Sequence, residues 1–229
     1  MLSKGNSIYC TWMILVFAIG VAYVETTRAQ SSDANIAESV SHNNLGLAHL
    51  RRKEIEQAEL EFRAAIATNP KNSGAYVNLG DLMLLRHDPD GAISAYAEAT
   101  KADPNNPTAY YNLAVLLKQL GRAPQAVVLY KEAIRVKPDY GKAHYNLGNI
   151  YRDNGDVDAA VAEFRRAVEI DTYDYEAHYN LGVLLKDLAR PNDAIEQFKA
   201  FLRVVPSDPA NERIINYAHQ HLRDLGVNE

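Results

Sequence analysis

Across 229 residues, 29 acidic side chains outweigh 24 basic ones and leave a net charge of −5. Arg51-Arg52-Lys53 is the only run of three basic residues, which argues against a nucleic-acid partner, because phosphate neutralisation dominates such binding. The single cysteine, Cys10, lies near the N-terminus, so everything after it is free of thiols, as suits an oxidising compartment.

Lys4 precedes an uninterrupted apolar run from Ile8 to Val24, after which Glu25-Thr26-Thr27-Arg28-Ala29-Gln30 turns polar. The run is slightly long for a signal-peptide core and at the lower limit of a membrane span. Thr27 and Ala29 are small residues placed for a cut before Gln30. Residues 1–29 therefore read as a cleaved signal peptide or a signal anchor. Either reading exports the rest, to a periplasmic or extracellular location or to the outer side of a membrane held by residues 8–24. Cys10 precedes the apolar centre, which is not a lipoprotein arrangement. A polar linker is expected over 30–38.

From residue 39 the chain repeats itself at an interval of 34 residues, giving units 39–72, 73–106, 107–140, 141–174 and 175–208. Asn44, Asn78, Asn112, Asn146 and Asn180 share one column, followed by a Leu column and by Gly46, Gly80, Ala114, Gly148 and Gly182. Ala58, Ala92, Ala126, Ala160 and Ala194 form another, each with a ring four residues on: Phe62, Tyr96, Tyr130, Phe164, Phe198. Both halves of each unit space apolar residues at i, i+3, i+4 and i+7, the face of a helix. Breakers such as Asp88-Pro89, Gly121-Arg122-Ala123-Pro124, Asn154-Gly155-Asp156 and Arg190-Pro191 separate the halves, so each unit is a helical hairpin. Gly weakens a helix interior by roughly 1 kcal/mol relative to Ala. A Gly column therefore predicts a close helix crossing, filled by the ring that follows the Ala column.

Beyond the fifth unit, Ser207-Asp208-Pro209 is a helix start, and Ile214, Ala218, His221 or Leu222, and Leu225 form an apolar stripe closed by Gly226. An array of hairpins leaves its last apolar face open, and residues 209–225 are expected to be the capping helix. Phe201 stands where the other units have Ala, which predicts that this helix packs differently from a true repeat.

These columns resemble the tetratricopeptide repeat, whose period is 34 residues. The resemblance covers residues 39–208 and implies an all-α solenoid of five hairpins with a C-terminal cap, and a protein-binding role. Departures are local: His42, Tyr76, Tyr110, His144 and His178 stand where the family favours Trp, and Thr172 replaces the terminal Pro. The run of "NLG" units also resembles the repeat region of O-linked N-acetylglucosamine transferases, where such an Asn ladder on the inner wall grips substrate peptide.

Two roles are open for the Asn column. An Asn amide offers donors and an acceptor, so it suits either locking neighbouring hairpins in register or holding the backbone of an extended peptide. Tyr111, Tyr145 and Tyr179 precede the Asn in units three to five, and Lys118, Arg152 and Lys186 follow it by six residues. These eleven residues are the expected peptide-binding set, unless the Tyr residues are packing and the cations a solvated edge. The carboxylate clamp of chaperone cofactors is incomplete: Lys142 and Asn149 occupy suitable family columns, but Asn180 stands where a base is needed. No catalytic triad, phosphate loop or metal-ligand spacing accompanies the seven His residues. The sequence reads as a non-enzymatic adaptor without cofactor or metal. A self-associating envelope component and the substrate-recruiting subunit of a separate transferase are the alternatives.

Overall fold

The computed structural model describes residues 32–227, which fold into helices with no strand among them. In chain order they are α1 (32–51), α2 (Ile55–Thr68), α3 (Ser73–Leu85), α4 (Pro89–Ala102), α5 (Pro107–Gln119), α6 (Ala123–Val136), α7 (Gly141–Asp153), α8 (Val157–Ile170), α9 (Tyr175–Asp187), α10 (Pro191–Val204), a 3-10 turn (Pro209–Asn211) and α11 (Glu212–Asp224). Two compact units divide after Asp103: α1 to α4, and α5 to α11. The fold is an all-α tetratricopeptide-repeat solenoid of five hairpins with a C-terminal capping helix. The apolar run of residues 8–24 lies outside the described residues. Among the described residues no helix is long and apolar enough to cross a membrane. Residues 32–38, within the stretch expected as linker, are the exposed first turns of α1.

Polar side chains start most first helices of the hairpins. Asn72, Asn106 and Asp174 accept from Ala75, Thr108 and Ala177 backbone N–H groups, satisfying donors that a helix start leaves unpaired. Of the breakers between halves, only Asp88 caps through its side chain, accepting from Gly91 N–H, with Pro89 in the first turn. What those turns share is backbone shape. Lys53, His87, Gly121, Gly155 and Ala189 all have φ between 52° and 83° and fall in one 34-residue column. The pattern of hydrogen bonds repeats too, as in His87 N–H to Leu84 O and Asp88 N–H to Met83 O, or Ala189 N–H to Lys186 O and Arg190 N–H to Leu185 O. This pair of bonds is the Schellman closure of a helix end. Only two of the five left-handed positions are Gly, so three carry a side chain in a conformation L-residues disfavour.

The ring column supplies the core inside each hairpin. A Cβ added at Gly46, Gly80, Gly148 or Gly182 would lie 2.5, 2.5, 3.0 and 2.9 Å from the ring of Phe62, Tyr96, Phe164 or Phe198. The Gly column is thus the bed of the ring column, as its cost in helix propensity suggested. The Ala column and Ala65, Ala99, Ala133 and Ala167 are fully buried. Phe201 is buried as well and lies 5.4 Å, centroid to centroid, from Tyr179. Ala218 and Leu222 of α11 belong to the same core cluster, with Ile214, Ile215 and Leu225 packed against it.

Two hairpins place a hydroxyl on the buried ring. Tyr96 donates to Asp81 Oδ1 at 2.5 Å. At the position matching Asp81, the third repeat has Val115, and the buried Tyr130 hydroxyl finds no hydrogen-bond partner among the described residues. Burial also pushes its pKa far up, so it stays a neutral, unpaired donor. Tyr130→Phe is expected to be neutral or to stabilise by up to about 1–2 kcal/mol, because it removes an unsatisfied buried group and keeps the ring. Urea unfolding of the two proteins measures it.

Candidate functional site

The predicted site residues lie on the first helix of each hairpin, and within residues 104–227 Lys118, Tyr111 and Asn146 form one hydrogen-bonded cluster and Arg152, Tyr145 and Asn180 a second of the same pattern. Asn146 on α7 receives Lys118 Nζ from α5 on its Oδ1 at 3.3 Å. Its Nδ2 donates to Tyr111 Oη of α5 at 3.3 Å and to the Lys142 carbonyl at 3.0 Å. Both amide protons and one lone pair of Asn146 are thereby engaged. Asn180 on α9 repeats the pattern more loosely. It accepts from Arg152 Nη1 at 3.1 Å, while its Nδ2 lies 3.5 Å from both Tyr145 Oη and Asn149 Oδ1. Lys and Arg only donate, so each fixes the amide with its oxygen towards the cation. Asn146 and Asn180 thus each tie their own first helix to the preceding one through side-chain bonds.

The remaining predicted ring and cation, Tyr179 and Lys186, sit against the cap. Tyr179 packs on Phe198, Phe201 and His221, with centroids 6.0, 5.4 and 6.1 Å away. Lys186 Nζ donates to Asp224 Oδ2 at 2.7 Å and to His221 Nδ1 at 3.0 Å. Burial first and the Lys186 charge second hold the His221 pKa down, in keeping with a neutral imidazole that accepts this bond. Burial pushes the Tyr145 phenol up to about 12, so its ring carries a neutral hydroxyl at any ordinary pH.

Among the described residues up to 103 these contacts are fewer. Asn78 Nδ2 donates to Asn43 Oδ1 at 2.8 Å, with Asn43 occupying the column of Tyr111. Asn44 is exposed on α1. The cation column there holds Leu50 and Leu84. Asn112 stands half-buried on α5.

The His column pairs within its own repeat, by a rule visible only when two columns are compared. His42, His144 and His178 each meet the residue nineteen further on: Nδ1 lies 2.6, 2.6 and 2.8 Å from Glu61 Oε2, Glu163 Oε2 and Gln197 Oε1. Where the column has Tyr76 or Tyr110, that later position is Ala95 or Leu129. Pairing within the repeat was therefore legible by comparing columns two at a time. His144 Nε2 also lies 3.1 Å from the Pro138 carbonyl, so the ring faces two acceptors. Burial lowers its pKa, but Glu163 and the Pro138 carbonyl outweigh that and raise it overall. A raised folded-state pKa gives stability that is full below the unfolded value near 6.5 and fades as pH rises through the folded value. Glu163→Gln is therefore expected to cost about 1–2 kcal/mol near pH 6 and clearly less near pH 9, where a neutral pair like His178 and Gln197 suffices. Thermal melts at both pH values measure it.

Among the described residues no group of His, Cys, Asp and Glu is arranged to hold a metal ion. A groove of about 860 Å³ lies away from the site residues, lined by Lys199, Leu202, Arg203, Ile215 and His219 among others. It contains none of the eleven.

Sequence models described as tetratricopeptide repeat match residues 43–107, 77–134, 111–175 and 175–208. The chain belongs to the tetratricopeptide repeat family, whose members are in general non-catalytic protein-binding adaptors. No curated protein sequence matches it significantly. Solved structures share the fold at low identity. YrrB, described as a tetratricopeptide repeat protein with an unusual peptide-binding site, is 19% identical, with 85% of this chain and 97% of that one covered and a TM-score of 0.62. PilF of Pseudomonas aeruginosa is 19% identical over 87% of this chain and 90% of its own, with a TM-score of 0.64. PilW, described as a widely conserved type IV pilus biogenesis factor, is 20% identical over 82% and 86%, with a TM-score of 0.64.

Proposed function

We propose that this chain is a non-enzymatic adaptor, exported or membrane-tethered, that holds an extended segment of a partner protein along the first-helix face of residues 104–229. The carrying observation is the network itself. It holds Tyr111 and Tyr145 at a repeat spacing, with Lys118 and Arg152 aimed by Asn146 and Asn180. Rigid aromatic faces beside oriented donors suit an extended chain, because little side-chain freedom is lost on binding. The description of YrrB as peptide-binding and of PilW as a pilus biogenesis factor supports the partner class and an envelope setting. The apolar run of residues 8–24 supports export.

The likeness to transferase repeats suggested that Asn amides grip the peptide backbone. Both protons of Asn146 are already engaged, whereas the Asn180 Nδ2 bonds, at 3.5 Å, are at the long limit and leave that amide the freer of the two for such a role. The test is display of a random peptide library against the full chain, followed by photo-crosslinking of enriched peptides. Crosslinks are expected at Tyr111, Tyr145 and their neighbours on α5, α7 and α9. Failure to enrich any peptide, or crosslinks confined to α6, α8 and α10, would overturn the proposal.

A further inference from the structure

The cation column contains an internal example of what it can bind. Lys118, Arg152 and Lys186 occupy equivalent positions of three successive repeats. The first two meet the Asn oxygen of the next repeat, 28 residues on. For Lys186 that register falls on Ile214, which has no acceptor to offer. Its ammonium turns instead to Asp224 Oδ2 on α11, while Gln220 Nε2 holds the other oxygen, Oδ1, at 2.7 Å. Bonds from Lys186 and then Gln220 hold the Asp224 carboxyl below the usual carboxylate range. At this repeat position an ammonium thus holds a carboxylate presented to it from another helix.

The three cations differ in what already satisfies them. Arg152 donates from Nε and Nη2 to Asp153 Oδ1, at 3.1 and 2.9 Å, and from Nη1 to Asn180. Lys186 has Asp224. Lys118 has one hydrogen bond, to a neutral amide oxygen at 3.3 Å, and forms no ion pair among the described residues. Burial is the main cause that lowers its pKa, with Asp153 pulling the other way and Arg152 adding to the lowering. Two of its three protons meet no acceptor among the described residues, and the Tyr111 hydroxyl shares its Asn146 partner.

We infer that Lys118 anchors an acidic side chain, Asp or Glu, of an extended peptide on this face, taking its carboxylate as Lys186 takes Asp224. Asn146 is a positioning residue that aims the ammonium. The inference rests on the reading of this face as a peptide site and adds the chemistry that selects the peptide.

Fluorescence anisotropy with the full chain tests it, using a labelled peptide of about ten residues alternating Glu and Thr and its Gln–Thr counterpart. The Glu peptide is expected to bind about tenfold tighter or better, the scale of one charge-assisted bond. Lys118→Gln should remove most of that preference and Lys118→Arg keep it. Lys199→Gln, the same charge change on α10, should leave it intact, which separates a site from net charge. Equal binding of both peptides by the parent overturns the inference and leaves the adaptor reading standing. So does equal loss in Lys118→Gln and Lys199→Gln, or displacement of the peptide by free glutamate at matched carboxylate concentration. Should neither probe nor any displayed peptide bind, both readings fall together.

Discussion

Phe198→Ala is expected to destabilise the protein by about 3–5 kcal/mol, the range for removing a fully buried ring. The ring has no exposed surface and lies on Gly182, where an added Cβ would stand 2.9 Å away. A glycine opposite it has no side chain with which to close the void. His221 stacks on the ring, with centroids 4.9 Å apart and planes inclined by 17°, and His221 also accepts from Lys186. Losing the ring thus frees α11 together with the hairpin. In repeat proteins stability is close to a sum of local and nearest-neighbour terms, so the damage should be local. Hydrogen exchange should show α10 and α11 losing protection first, with α5 and α6 nearly unchanged. A cost below about 1 kcal/mol, or uniform loss across α5 to α11, would mean that the ring is not what holds the cap.

Gly80→Ala should destabilise by about 1–3 kcal/mol although Ala is the better helix former by roughly 1 kcal/mol. The new Cβ would stand 2.5 Å from Tyr96 Cε1 and 2.7 Å from Cδ1. Tyr96 cannot retreat freely, since its hydroxyl is bound to Asp81. Gly148 offers the contrast: its Cβ would meet Phe164 at 3.0 Å, and Phe164 has no hydroxyl tether. Gly148→Ala should therefore cost less than Gly80→Ala. The third repeat already carries Ala114 beneath Tyr130, both fully buried, so a hairpin can be built around a methyl group when ring and bed differ together. Chemical denaturation of both variants decides it. A Gly80→Ala protein as stable as its parent would show that the tether yields.

Much of this was readable before any coordinates. One-residue columns spaced by 34 carry the hairpins, the Gly bed, the buried Ala and ring positions and the odd packing at Phe201, because a repeat restates its local packing problem five times. Other signals needed columns taken in pairs: His144 with Glu163 and His178 with Gln197, or Tyr96 with Asp81 against Tyr130 with Val115. The left-handed turn column hid for another reason. Lys53, His87 and Ala189 occupy it as readily as Gly121 and Gly155, since the Schellman hydrogen bonds offset the strain.

By itself, the amino-acid sequence determined the class of fold, the number of hairpins and the face on which Asn, Tyr and the cations gather, since each depends on periodicity within one helix or one repeat. Tertiary structure alone decided what those residues do to one another. That Asn146 meets Tyr111 and Lys118, and that Lys186 forms an ion pair while Lys118 forms none among the described residues, depends on contacts between side chains from different parts of the chain. The cap shows why. Its register is not that of a repeat, so no column could place Asp224 beside Lys186. Only the packing of α11 on Phe198 and Phe201 brings that carboxylate within reach.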